Sequence, residues 1–219
     1  MSTPAPAEAE SRNRRELLKS IVGLGNPGLQ YVSTRHNLGV RLLELIRRKA
    51  GGNEFRSQGR VSVTTIFLAG REVELVRTRT YMNLSGPAVA EWAEWAGIGA
   101  EEILVMTDDL DLPLGRIRFR PGGGSGGHRG LISLVEALKT DQFPRLRLGI
   151  GAPPPNQDPA DFVLEVESPE EEEMWNRILP WAAEAVHLAI GEGLEAAMNA
   201  YNGALGPGEL TDTESEGGM

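Results

Sequence analysis

The chain has 219 residues, 40% of them hydrophobic and 24% charged, with no cysteine and a net charge of −9. The missing cysteines exclude disulfides, zinc ribbons and thiol nucleophiles together, and no apolar run approaches the ~20 residues of a membrane helix. A single domain of this length buries about 70% of the surface its unfolded form exposes, so it needs no covalent staples.

Met1 to Arg15 is rich in Ala, Pro, Glu and Arg and lacks the apolar segment of a signal peptide, so a soluble cytoplasmic protein is expected. The charge is unevenly spread. Residues 160–219 hold 14 acids and one base, Arg177, while residues 1–159 carry a net +4. The basic excess concentrates in Arg116, Arg118, Arg120, Arg129, Lys139, Arg145 and Arg147. A local basic face of this kind is the electrostatic footprint of phosphate binding, and strand-edge arginines turned to solvent are the bland alternative.

In chain order, Ser20–Leu24 reads as a buried strand stopped by the turn signal Gly25-Asn26-Pro27-Gly28. Leu38 to Ile46 has helical periodicity and ends in Arg47, Arg48 and Lys49, favourable at a helix C-terminus. Val61–Leu68 and Val73–Thr78 predict a hairpin around Ala69-Gly70-Arg71. Ser85, as N-cap, opens a helix to about Ala96.

Ile103–Met106 predicts a buried strand, and Arg116–Arg120 a strand with arginines alternating on one face. The glycine loop Gly122–Gly130 precedes a helix over Leu131 to Lys139, and Arg145–Ile150 is a further strand. After the Pro153-Pro154-Pro155 linker, Ser168 and Glu171 form a capping box for a long helix to about Met198 that should bend at Pro180. This alternation predicts a single α/β domain over 18–202, a mixed twisted sheet covered by helices. The segments 1–17 and 203–219 read as disordered tails.

Two motifs mislead. Gly23-Leu24-Gly25-Asn26-Pro27-Gly28 matches the dinucleotide pattern GxGxxG, but Pro27 has no N–H for a pyrophosphate, and a hairpin follows instead of a short crossover. Gly123-Gly124-Ser125-Gly126-Gly127 matches the nucleophile elbow GxSxG, with Asp141, Asp158 or Asp161 and then His187 to complete a triad. His187 lies in a regular helical stretch, however, and so many glycines hold a nucleophile poorly. The same glycines let backbone N–H groups approach a phosphate or carboxylate closely. His36 precedes a helix, His128 sits in the glycine loop, and Asp108, Asp109 and Asp111 end a buried strand. Hard-cation cages recruit more oxygens than those three acids supply. A His near one strand end and an Asp at another can instead form a base and its orienting partner.

Taken together, Ile21-Val-Gly-Leu-Gly-Asn-Pro-Gly28, Tyr31, Thr34-Arg-His-Asn37, Tyr81-Met-Asn-Leu-Ser-Gly86, Asp108-Asp-Leu-Asp-Leu-Pro113, the glycine loop, Arg145-Leu-Arg-Leu-Gly-Ile-Gly151 and Phe162-Val-Leu164 resemble the bacterial peptidyl-tRNA hydrolase family over roughly residues 18–200. The resemblance implies hydrolysis of the peptidyl-tRNA ester, by a monomer with no metal or cofactor and no membrane partner. It implies that His36 is the general base, that Asp108 supports it, and that Asn26 distinguishes an N-blocked aminoacyl group from a free one. Met82 and Asn83 correspond to the pocket floor, Tyr31 and Tyr81 to aromatic or tRNA-contacting positions, and His128 to a substrate-channel histidine. One position departs. Arg129 stands where the family usually has Asn, and a donor-only cation replaces an amide that also accepts. Because relatives of this fold include RNA-binding splicing factors, a non-catalytic RNA-binding protein is the alternative.

Overall fold

The computed structural model describes residues 18–204, 206 and 207. The expected tail 1–17 lies outside these residues, as do 205 and 208–219 of the expected tail 203–219. Among the described residues the strands form one seven-stranded sheet in the order β2-β3-β4-β1-β5-β7-β6. They are β1 Ser20–Gly23, β2 Arg56–Gln58, β3 Val61–Leu68, β4 Arg71–Thr78, β5 Ile103–Asp109, β6 Ile117–Arg120 and β7 Arg145–Gly149. The central β4, β1, β5 and β7 run parallel; β3 and β6 return antiparallel to their neighbours, and β2 pairs antiparallel with β3. The sheet is therefore mixed, as the sequence predicts. The carboxyl ends of four parallel strands meet along one edge, where α/β sites assemble.

Six α-helices complete the described fold: α1 Leu38–Lys49, α2 Ser85–Ala96, α3 Arg129–Leu138, α4 Pro159–Phe162, α5 Pro169–Glu192 and α6 Leu194–Tyr201. Alternating strand residues divide between two apolar layers. Leu42, Leu43 and Ile46 of α1 and Ile178, Ala182 and Val186 of α5 cover Ile21, Leu75, Leu104 and Leu146 on one face. Val89 and Trp92 of α2 with Leu131 and Leu134 of α3 cover Val22, Val63, Val76 and Val105 on the other. No helix among the described residues is long and apolar enough to cross a membrane.

Several local expectations shift. Leu84, not Ser85, is the N-cap of α2; it makes no side-chain cap bond, and the buried Ser85 hydroxyl has no partner. The capping box of α5 forms as expected, with Ser168 accepting from Glu171 N–H and the Glu171 carboxylate accepting from Ser168 N–H. That helix runs unbroken past Pro180; the interruption comes at Gly193, whose φ of 96° no neighbouring side chain opposes. Beyond α6, the Asn202 carboxamide accepts from the backbone N–H of Phe119 and donates to its carbonyl, in the middle of edge strand β6. Arg116 then donates to the Ala204 carbonyl.

Close contacts explain the glycines of the first motif. A Cβ on Gly39 would lie 2.3 Å from the Met106 carbonyl, and one on Gly23 2.6 Å from the Gly39 carbonyl, so α1 rests directly on β1 and β5. Gly86 lets α2 meet α3 in the same way: a Cβ there would stand 1.8 Å from the Ser133 carbonyl. Backbone cannot swing aside as a side chain can. Gly86→Ala should therefore cost about 2–4 kcal/mol in urea unfolding, at the upper range of overpacking. An unchanged midpoint would mean that the two helices part freely.

Candidate active site

His36 lies in a 3-10 turn, Arg35–Asn37, between β1 and α1. Two contacts fix this turn. Asn37, the N-cap of α1, makes no cap bond; its carboxamide accepts from Asn26 N–H at 2.7 Å and donates to the Asn26 carbonyl at 2.9 Å. Arg35 turns the other way. Its guanidinium grips both Glu171 oxygens at 3.0 and 2.8 Å, donates to the Phe162 carbonyl at 2.9 Å and lies 4.0 Å over the Phe162 ring. His36 N–H itself donates to the Val163 carbonyl. The turn is thus clamped between the β1 loop and the α4–α5 segment.

The ring of His36 points toward the end of β5. Nδ1 lies 3.0 and 2.9 Å from the two oxygens of Asp108, which is almost fully buried. Burial acts to raise the Asp108 carboxyl, but attraction to the His36 imidazole and the hydrogen bonds from His36 and His128 outweigh it. The group is held well below the usual carboxylate range. An anion at Asp108 accepts a proton-bearing Nδ1, which leaves the lone pair of His36 on Nε2. That is the tautomer a general base needs.

His128, the N-cap of α3, also reaches Asp108. Its Nε2 lies 3.1 Å from Asp108 Oδ1 and 2.7 Å from Thr107 Oγ1, and the two imidazole rings are 4.7 Å apart. His36, Asp108 and His128 have the make-up of a metal-ligand cluster. Protonation argues against that use: Nδ1 of His128 accepts from the N–H groups of Gly130 and Leu131, so its proton sits on Nε2, the nitrogen a metal would need bare.

A cleft of about 580 Å³ opens over these groups. Every residue expected from the resemblance lines it: Asn26, Tyr31, His36, Tyr81, Met82, Asn83, Asp108, His128 and Arg129. The Asn26 carbonyl oxygen accepts from Met82 N–H at 2.8 Å, so its NH2 is left as the donor for the cleft. Tyr31 and Tyr81 meet edge to face at 6.5 Å on the rim, and Asn83 and Arg129 are exposed.

Asp158, Pro159, Ala160, Val163 and Leu164 form a wall in a stretch to which sequence reasoning assigns no helix or strand. Its only signals are Asp158-Pro159, the N-cap and first residue of α4, and Phe162-Val163-Leu164. The elbow reading fails: Ser125 lines the cleft, but His187 lies exposed on α5, outside it. The basic face is smaller than expected, because Arg145 is buried and holds the carbonyls of Gly124 and Asp141, while Arg147 pairs with Asp109.

A histidine held by a buried carboxylate, over a cleft at the carboxyl edge of a parallel sheet, is an arrangement that can activate a water for hydrolysis. Comparison with known proteins agrees. The family model described as peptidyl-tRNA hydrolase matches residues 20–208. A peptidyl-tRNA hydrolase of Chloroflexus aggregans is 46% identical over 183 residues, covering 83% of this chain and 97% of its own. One from Mycobacterium tuberculosis is 45% identical over 181 residues, covering 82% and 94%. The crystal structure of peptidyl-tRNA hydrolase from Acinetobacter baumannii superposes with a TM-score of 0.80 at 34% identity, over 85% of this chain and 95% of that one. The chain belongs to the peptidyl-tRNA hydrolase family.

Proposed function

We propose that this chain hydrolyses the ester joining a peptide to the 3′ end of tRNA, with His36 as general base. The observation that carries this reading is the bond from His36 Nδ1 to buried Asp108, which leaves Nε2 for water at the cleft. Nε2 takes a proton as the water oxygen bonds to the ester carbonyl carbon. The resulting imidazolium, stabilised by Asp108, then returns that proton to the departing ribose oxygen. The C–O bond breaks, giving tRNA and a free peptide carboxyl group. An ester has a better leaving group than an amide, so an activated water suffices. In this reading the enzyme works as a cytoplasmic monomer, and Arg118, Arg120 and Arg129 attract the tRNA phosphates.

Asn26 supplies discrimination. Its NH2 can donate to the carbonyl of an N-acyl group, whereas the ammonium of a free aminoacyl-tRNA carries only donors. Met82, Asn83, Tyr31 and Tyr81 bound the space for the acylated end. The test is release of N-acetyl amino acid from N-acetyl-aminoacyl-tRNA, beside the unblocked aminoacyl-tRNA. Failure to release it by protein that still binds tRNA would leave the RNA-binding reading instead. Asn26→Asp keeps the Met82 bond but offers the cleft an anionic acceptor. The preference in kcat/KM for the blocked substrate should fall about 10–100-fold, the worth of one well-placed hydrogen bond. An unchanged ratio would remove Asn26 from this role.

A further inference from the structure

His128 and His36 share one carboxylate, yet their surroundings differ. Nδ1 of His128 accepts from Gly130 N–H at 3.1 Å and Leu131 N–H at 3.3 Å, at the start of the ten-residue helix α3. A second ring proton would have to sit on Nδ1, against two N–H donors and the positive end of the helix. In this arrangement the ring proton of His128 sits on Nε2, directed between Thr107 Oγ1 and Asp108 Oδ1. Among the described residues, no such fixed donor bonds Nε2 of His36.

We infer that His128 is a positioning residue for the reaction: as a permanently neutral donor it holds Asp108 and draws off part of its negative charge, limiting how strongly Asp108 retains the proton on His36. The effect matters because a base held too tightly protonated is idle near neutral pH. Without the His128 bond, the Asp108 charge would be concentrated on His36, and the imidazolium would persist to higher pH.

The other charged groups around the pair are engaged or stand at the rim. Asp109 is paired with Arg147, and Asp158 accepts from Ala160 N–H. On the α5 side Arg35 is paired with Glu165 and Glu171, and Arg41 with Glu167. Arg129 is exposed at the rim, and the phenols of Tyr31 and Tyr81 also line the cleft.

The inference rests on the proposed hydrolysis, but its first test does not. Long-range ¹H–¹⁵N spectra of the intact protein distinguish tautomer and charge for its three histidines. His128 should remain a neutral Nε2–H ring from pH 8 to about 5 while His36 titrates. Titration of His128 in that range, or a proton on its Nδ1, would overturn the inference. The second test is His128→Asn, since Asn is a favoured N-cap and keeps α3 closed. In this variant the His36 titration, and with it the acidic limb of the pH–rate profile, should move up by about one pH unit. Thr107 supplies no substitute for the lost bond, as its hydroxyl is turned to the Asp108 backbone carbonyl. An unmoved His36 titration would refute the tuning role. If the titration moves in a protein that releases no acyl group, the hydrolysis reading fails and the tuning role survives.

Discussion

Replacing His36 by alanine is expected to lower turnover of N-acetyl-aminoacyl-tRNA by about 10²–10⁴, the usual contribution of general acid–base catalysis. Substrate affinity should change little, because the cleft walls and the arginines proposed to attract tRNA do not depend on the ring. The loss should appear in kcat, with KM nearly constant. Ser125→Ala is the matched control. Ser125 lies in the cleft, but His187, the histidine of the elbow reading, lies outside it, so the variant should retain near-normal turnover. Loss of hydrolysis in Ser125→Ala, with activity kept in His36→Ala, would reverse the assignment of water as the nucleophile.

Asp108→Asn should be comparably damaging, by about 10²–10⁴ in kcat, for two reasons that act together. An amide has one accepting oxygen where the carboxylate has two, yet two imidazole N–H groups face it. If the amide NH2 turns toward His36, the ring must accept at Nδ1 and place its proton on Nε2, the wrong nitrogen for a base. The remaining activity should also change its pH dependence. Removing the negative charge makes the imidazolium less favourable, so His36 loses its proton at lower pH and the acidic limb shifts downward. This is opposite in sign to the shift from His128→Asn. A pH–rate profile identical to that of the unaltered protein would rule out Asp108 as the partner of His36.

The strands and helices were largely legible because burial writes itself into the pattern. Val61–Leu68 and its partner strand flank a two-residue turn, and the apolar run Ile103–Met106 marks the first part of the buried strand β5, though not its buried polar end Thr107–Asp109. The candidate site residues were legible through their motifs, and all nine line one cleft. What escaped was long-range and polar. Nothing near Arg35 announces that its guanidinium will find Glu171, which is 136 positions away. Arg145 and Arg118 lie on the same strand-alternating pattern, yet only Arg145 is taken inside, by a loop that arrives from elsewhere. The short helix α4 was hidden because Pro153–Pro155 reads as a linker, whereas the cleft wall begins only at Asp158.

Asn202 has a consequence for how molecules of this protein meet one another. A sheet margin is adhesive where its backbone donors and acceptors stand bare, since any extended chain can continue the ladder there. Strand β6 is only four residues long, and at Phe119 both backbone groups are already bonded to the Asn202 carboxamide. One side chain thus imitates a neighbouring strand at the point where a true one would attach. An incoming strand would first have to displace it, so this margin resists growth into fibrils or paired sheets.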